Sequence, residues 1–300
     1  MAYVRGNPKD YDSWADIVKD PLWGWTSVER IFRRMENCSG IDTCIDRDLR
    51  GMSGPLDITV KKPVNPLATA FVRSAACRGH EVGDYNGAAQ ERVSILQTTT
   101  KRGVRHTSAD AYIWSVLGKR PNLHVLLHAE VSRILFKPTE DGSSTQEATG
   151  VVLHVGSGSA KRTVNVTATT EVIVCASAVG SPKLLLLSGI GPREDLQRLG
   201  IPCVHHSEHV GRNLEDHLVT AVMVNASEAN PKKDIGTVNA HKAQNFPRGL
   251  WSFFEWMLFG TGHLASSTYD TCLFMKSGMN TDLPYPDIQL GGCMNICMHG

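Results

Sequence analysis

EVIVCASAVGSPKLLLLSGIG, Glu171 to Gly191, is the stretch on which the reading of the chain turns. Val172-Ile173-Val174-Cys175-Ala176 is apolar and rich in β-branched side chains, the pattern of a buried strand. Small residues follow, Ser177 to Gly180, and then Ser181-Pro182. A serine hydroxyl caps a helix start, and proline suits the first helical position because the N–H it lacks would be orphaned there. A helix capped by Ser181 is therefore predicted. Leu184 to Leu187 give it a buried turn, and Ser188-Gly189-Ile190-Gly191 stops it. A strand, a tight turn of small residues and a helix N-terminus allow a backbone to approach a phosphate or a flat cofactor. Cys175, inside the strand, reads as an inert core thiol.

Composition sets the class around this stretch. The 300 residues make one large domain or two ordinary ones, and 41% apolar residues suffice for a substantial core. Lys plus Arg (31) nearly cancel Asp plus Glu (30), so no nucleic-acid or anionic-membrane partner is expected. No apolar run reaches the ~20 residues of a membrane span. The most apolar segment, Leu250 to Gly260, contains Glu255 and reads as a buried or half-buried helix. The first residues carry no apolar signal core, which leaves the compartment unassigned. Eight scattered cysteines do not make a disulfide framework.

Upstream of the key stretch, Tyr3 to Trp14 is dense in turn formers and aromatics. Thr26 to Glu29 is a capping box for a helix running to about Met35. Asp57 to Val60 is strand-like, Pro66 to Arg78 helical with Gly79 as its stop, and Asp84 to Gly87 a turn. Thr107 or Ser108 caps a helix to Leu117, closed by Gly118. Leu123 to Leu127 and Val131 to Phe136 read as strands. Glu147 to Val155 and Arg162 to Thr167 read as a hairpin joined by Gly156 to Ala160. Downstream, Pro192 to Leu199 is a short helix with Gly200 after it, Val210 to His217 a polar turn, and Leu218 to Val224 a strand. Glu228 to Asn245 is a polar loop.

The motifs are few. The loop GSGSA has no helix after it, so it is a hairpin turn and not a phosphate loop. No complete G-x-G-x-x-G, G-x-x-x-x-G-K-[ST] or G-x-S-x-G occurs. His205 and His209 would share a helix face as metal ligands, yet their surroundings read as an extended segment entering a solvated loop. Cys293, Cys297 and His299 lack a second ligand pair. No metal is expected. Asp216-His217 reads as a turn closed by hydrogen bonds to backbone, with an oriented general base as the alternative. From the residues alone this is an α/β or α+β protein with one cofactor turn and no catalytic set.

Gly180 to Gly191 resembles the second signature of the glucose–methanol–choline (GMC) family of FAD-dependent oxidoreductases. Tyr3-Val4-Arg5-Gly6-Asn7-Pro8 with Asp10-Tyr11-Asp12 and Trp14 resembles the tail of its first signature. Asp84 to Gly87, Gln97-Thr98, Gly103 to Arg105 with Thr107 to Ala109, Arg120 to Leu123, Val210 to His217 and Pro286 to Gln289 resemble further blocks in the same order. The choline- or alcohol-dehydrogenase-like branch is nearest. The resemblance implies a partial FAD-binding, Rossmann-like domain over residues 1–217. It implies the start of a substrate domain, built on an antiparallel sheet, over 218–300. It implies FAD as cofactor and a small alcohol as substrate, oxidised to a carbonyl by hydride transfer to the flavin. Val131 matches the valine whose backbone pairs with the adenine, and Ala176 and Ser177 match a segment close to FAD. Ser177 stands where the family commonly has glycine. Met1 and Ala2 match the flavin-contacting end of the first signature. The family's G-x-G-x-x-G unit has no counterpart here. Its catalytic histidine base is expected beyond Gly300, and His299 does not fit its surroundings, so no residue is assigned as catalytic. The chain is expected to be a piece of a longer protein, with an inactive truncated relative as the alternative.

Overall fold

The computed structural model describes residues 2–42, 45–139, 145–156, 158, 161–222, 248–265, 269–279 and 284–293. The chain divides into two compact units, residues 1–120 with 225–300, and residues 121–224. The first unit is thus built from both ends of the sequence. In chain order it opens with α1 (Pro8–Val18), α2 (Trp25–Met35), β1 (Glu36–Asn37), β2 (Leu56–Asp57), β3 (Thr59–Val60), α3 (Pro66–Cys77), β4 (Val93–Ile95), β5 (Gln97–Thr98), β6 (Thr100–Lys101) and β7 (Val104–Arg105). The second unit contains β8 (Ala129–Pro138), β9 (Gln146–Val155), β10 (Arg162–Thr167), α4 (Ser177–Leu187), β11 (Ile190–Gly191), α5 (Arg193–Arg198) and β12 (His205–His206). Then α6 (Arg248–Phe259), β13 (Tyr269–Met275) and β14 (Ile288–Cys293) complete the first unit. The class is mixed α/β (α+β), and its two three-stranded sheets, β10-β9-β8 and β14-β13-β4, are both antiparallel.

In the first unit, β13 is the core strand. Asp270 to Phe274 are all buried, with β14 on one side and β4 on the other. Tyr85, Leu96, Cys272 and Phe274 pack together beside it, and Ala75 of α3 joins Val93 and Leu273. The helix α3 has the predicted bounds to within a residue. Asn65 caps it by accepting from Leu67 N–H, Pro66 is its first residue, and Gly79 follows with φ +94°. The helix α1 lies where turn residues were read. Asn7 is its cap, accepting from Lys9 N–H, and Pro8 opens it. Conversely, the Thr26–Glu29 capping box does not form. The helix α2 begins earlier, at Trp25 after Gly24, and Asp12 accepts the Trp25 amide at 3.0 Å. Thr107 does cap its turn, exchanging bonds with Asp110 in both directions (2.7 and 3.3 Å). These bonds hold the Asp110 carboxyl below its ordinary pKa. The helix α6 forms as the half-buried helix read: Ser252 is buried and Trp256 partly so, while Trp251, Met257, Leu258 and Phe259 are exposed.

In the second unit, the β8–β9–β10 meander matches the strands and hairpin read from sequence, and Gly156 leaves β9 with φ +91°. Three predicted strands are corrected. Residues 123–127, 172–176 and the described part of 218–224 pair with no strand among the described residues. A strand exists only through a partner's hydrogen bonds, and an apolar run alone does not supply one. Leu126, Leu127, Ile173, Leu218 and Val219 are accordingly exposed. Met1, Cys44, the tip of the GSGSA loop and the loop 228–245 lie outside the described residues. So do Cys297 and His299 of the terminal Cys/His motif, and Gly300, the residue beyond which the family's histidine base is expected.

Cys175 is exposed, against the reading of an inert core thiol, because the segment that carries it is unpaired. Cys77 is exposed as well, whereas Cys38 and Cys272 are buried. Burial raises both buried thiols, Cys272 to about 11. A maleimide titration of the native chain at neutral pH is therefore expected to modify Cys77 and Cys175 rapidly. Cys38 and Cys272 should react only after denaturant is added, because the reactive thiolate is scarce and inaccessible at both. Mass spectrometry of the labelled peptides reads the order.

Candidate cofactor site

The helix α4 starts four residues before the predicted cap. Ser177 is its first residue and Ala176 its N-cap, with Pro182 inside the helix. Ser181 reaches back to Ala176, whose N–H donates to Ser181 Oγ at 3.1 Å. Pro182 withholds the bond its amide would give four residues back, yet it leaves the helix continuous. Ser177 has φ +73°, the left-handed region that L side chains other than Asn and Asp rarely occupy. The small-residue turn predicted from sequence is thus present, in a conformation suited to glycine. Ser177→Gly is expected to raise stability by about 1 kcal/mol through relief of this strain, read as a higher melting temperature. A lower one would contradict the turn geometry.

Val131 lies on β8, an edge strand of its sheet, opposite Leu153 of β9. The register slips between Val131 and Arg133, a bulge that re-aims the backbone at this point. Beside it lies an open cavity of about 690 Å³ lined by His128, Ala129, Glu130, His154, Gly156 and Lys161. His128 has φ +53°, a second non-glycine residue held in the left-handed region. Lys161 Nζ lies 3.6 Å from Glu130 Oε2, which balances the charge at the mouth. The C-terminal end of α4 is tied to the same strand, since Ile134 N–H donates to Ser188 Oγ at 2.8 Å.

Ala2 belongs to the first unit, where it bridges Thr98 in antiparallel fashion. Tyr3 N–H donates to Gln97 O at 2.8 Å, so Ala2-Tyr3 adds to the edge of β5. Behind this segment lies a buried polar network that the sequence reading missed. Arg5 pairs with Glu36. Arg50 reaches Glu36 Oε2 and Asp84 Oδ2, both at 2.7 Å. Gln97 donates to Asp84 Oδ1 at 2.8 Å and accepts from Arg50 at 3.0 Å. Two guanidinium groups and two carboxylates therefore cancel with almost no solvent contact. Arg5, Asp84, Asn86 and Gln97 all stand in the sequence blocks quoted for the family. Glu36 and Arg50 do not, and no local spacing links them.

The Tyr3 hydroxyl is buried near the Arg5 and Arg50 guanidinium groups, and desolvation raises it to about 12. A raised phenol stabilises the fold below its unfolded value near pH 10 and loses that contribution as pH climbs through 12. Tyr3→Phe is expected to remove this loss, of roughly 3 kcal/mol, from the alkaline unfolding curve. Urea midpoints measured between pH 9 and 12 would read it.

The other motifs contribute less. Asp216 Oδ1 accepts the His217 N–H at 2.8 Å, a bond between neighbours in an exposed segment with no assigned turn. His205 and His206 form the exposed two-residue strand β12, parallel to β11. Among the described residues no group of three His, Cys, Asp or Glu is placed to hold a metal. No helix of the described residues is long and apolar enough to cross a membrane.

The family profile described as GMC oxidoreductase matches residues 1–219. An oxygen-dependent choline dehydrogenase of Burkholderia pseudomallei (strain K96243) is 38% identical over 294 residues, covering 96% of this chain and 47% of the relative. An alcohol dehydrogenase [acceptor] of Pseudomonas putida is 34% identical over 289 residues, 95% of this chain and 48% of the relative. Among solved structures, an FAD-dependent oxidoreductase from Chaetomium thermophilum superposes with a TM-score of 0.74 at 25% identity, covering 93% of this chain and 48% of that one. The Aspergillus oryzae RIB40 formate oxidase superposes with 0.76 at 19% identity, covering 98% and 52%, a likeness of fold. The chain spans about half the length of the curated relatives it matches. On the strength of the match over residues 1–219, the chain belongs to the GMC oxidoreductase family.

Proposed function

We propose that this chain is part of an FAD-dependent oxidoreductase that oxidises a small alcohol, choline-like or otherwise, to a carbonyl. The observation that supports the reading is the alignment of 95–96% of this chain, at 34–38% identity, with about half the length of choline and alcohol dehydrogenases. Residues 1–217 are assigned to the FAD-binding part and 218–300 to the start of the substrate-binding part. Bound FAD would accept the hydride from the alcohol carbon.

The residues present suit that role. The open depression lined by His128, Glu130, His154 and Lys161 lies beside the bulged strand. The bulged edge strand at Val131 offers backbone donors and acceptors beside it, which suits an adenine edge. The left-handed turn at Ala176-Ser177 keeps side-chain bulk low where a backbone has to approach a cofactor closely. Ala2, and Met1 by sequence, are assigned to the flavin. The hydroxyl proton of the alcohol needs a base, and none of the residues described above is assigned to it.

Titration of the purified chain with FAD, followed by quenching of flavin fluorescence, tests the reading. Saturable one-to-one binding, weakened by Val131→Pro through loss of the backbone N–H, is the expected result. Absence of binding would overturn the assignment of Val131, Ala176, Ser177 and Ala2.

A further inference from the structure

The Ala2–Arg5 segment is held at its start by a strand and beyond it by a side chain. At the start, Tyr3 N–H donates to Gln97 O and Ala2 bridges Thr98. Past that point, the partner is a single side chain. Asn86 Oδ1 accepts from Arg5 N–H at 2.7 Å, and Asn86 Nδ2 donates to Tyr3 O at 3.1 Å. These are the two main-chain groups that flank Val4, the pair that a neighbouring antiparallel strand would take. One carboxamide, with an acceptor and donors on the same carbon, reproduces that pairing.

The carboxamide is itself locked. Its Nδ2 also donates to Gln97 Oε1 at 3.0 Å, and the Asn86 N–H donates to Asp84 Oδ1 at 3.0 Å. Gln97 and Asp84 are both held by Arg50. Asn86 is 3% exposed, so water cannot take the place of these bonds. The buried ions thus fix a rotamer, and the rotamer fixes a backbone.

We propose that Asn86 is a positioning residue, a side-chain substitute for a strand that sets the course of Ala2–Arg5 and hence the presentation of Ala2 to the flavin. The last step rests on the assignment of Ala2 under Proposed function. The clamp does not.

The test compares the full chain with Asn86→Ala. Amide hydrogen exchange is followed on 15N-labelled protein, with the amides of α3 as reference in the same unit. Arg5 N–H is expected to exchange roughly tenfold faster in the variant, as suits the loss of one net hydrogen bond. The amides of α3 should stay within about twofold. An unchanged Arg5 amide, or a rise shared equally by α3, would overturn the clamp, the second because it marks general destabilisation. FAD titration runs in parallel. A dissociation constant weakened about tenfold in the variant supports the link to the flavin, and equal affinity overturns it. No binding by the parent chain overturns the functional reading and the link together, and exchange then decides the clamp.

Discussion

Arg50→Met is expected to destabilise the first unit by about 3–5 kcal/mol, the largest effect of any single substitution considered. The guanidinium is the only group that touches both Glu36 and Asp84 in this cluster, and all three side chains are almost fully buried. Methionine fills the volume but leaves two carboxylates facing each other across a dry interior with only Arg5 to balance them. The guanidinium also lies over the Tyr3 ring, 5.8 Å from its centroid, so packing is lost along with charge. Neutralising a partner at the same time should recover part of the loss. Arg50→Met with Glu36→Gln is expected to be more stable than Arg50→Met alone, a coupling that a double-mutant cycle measures. Urea denaturation of the four proteins supplies the numbers. A loss below about 1 kcal/mol for Arg50→Met would show that the cluster behaves as a surface ion pair.

The second large effect belongs to Gly189, between α4 and β11. Its φ is +85°, and a Cβ there would lie 2.4 Å from Pro202 O and 2.8 Å from Val204 Cγ2. The backbone has no freedom to yield, because Gly189 O accepts from both Val204 N–H (2.8 Å) and His205 N–H (3.1 Å). Gly189→Ala combines left-handed strain with overpacking against main chain and is expected to cost about 3 kcal/mol. Its sign is opposite to that of Ser177→Gly, twelve positions earlier on the same stretch. Measured side by side by thermal melting, the pair tests the helix ends of α4 without reference to any ligand. A neutral Gly189→Ala would mean that β11 and β12 do not pair as described.

Local chemistry made the helices the most legible part of the sequence. Asn65, Pro66 and Gly79 mark both ends of α3, and Pro192 and Gly200 bracket α5. Asn7-Pro8 carried the same start signal for α1 but was read as a turn, since cap residues and turn residues are the same types. At α4 the pair Ser181-Pro182 resembled a helix start, and the structure places it one turn inside. Strands were most legible where the partner lay nearby in sequence, as in β9 and β10. At residues 172–176 the apolar pattern specified a face to bury but not what would cover it. Of the candidate site, the family blocks supplied the residues of the key turn and of Val131. The polar cluster stayed hidden because Arg5, Glu36, Arg50 and Asp84 meet across separations of 31, 14 and 34 positions, where no periodicity operates.

The unpaired segments at 123–127 and 172–175 bear on how the protein behaves in a test tube. Each is a short run free of acidic, lysine and arginine side chains and rich in leucine, isoleucine or valine, with its main-chain groups open among the described residues. Segments of this kind add to any free strand, including their own copies on neighbouring molecules. Loss of soluble material on standing should thus rise faster than linearly with protein concentration, and a lysine placed at Ile173 should slow it. Gentle handling, low concentration and early addition of flavin are the practical corollaries for anyone purifying this chain.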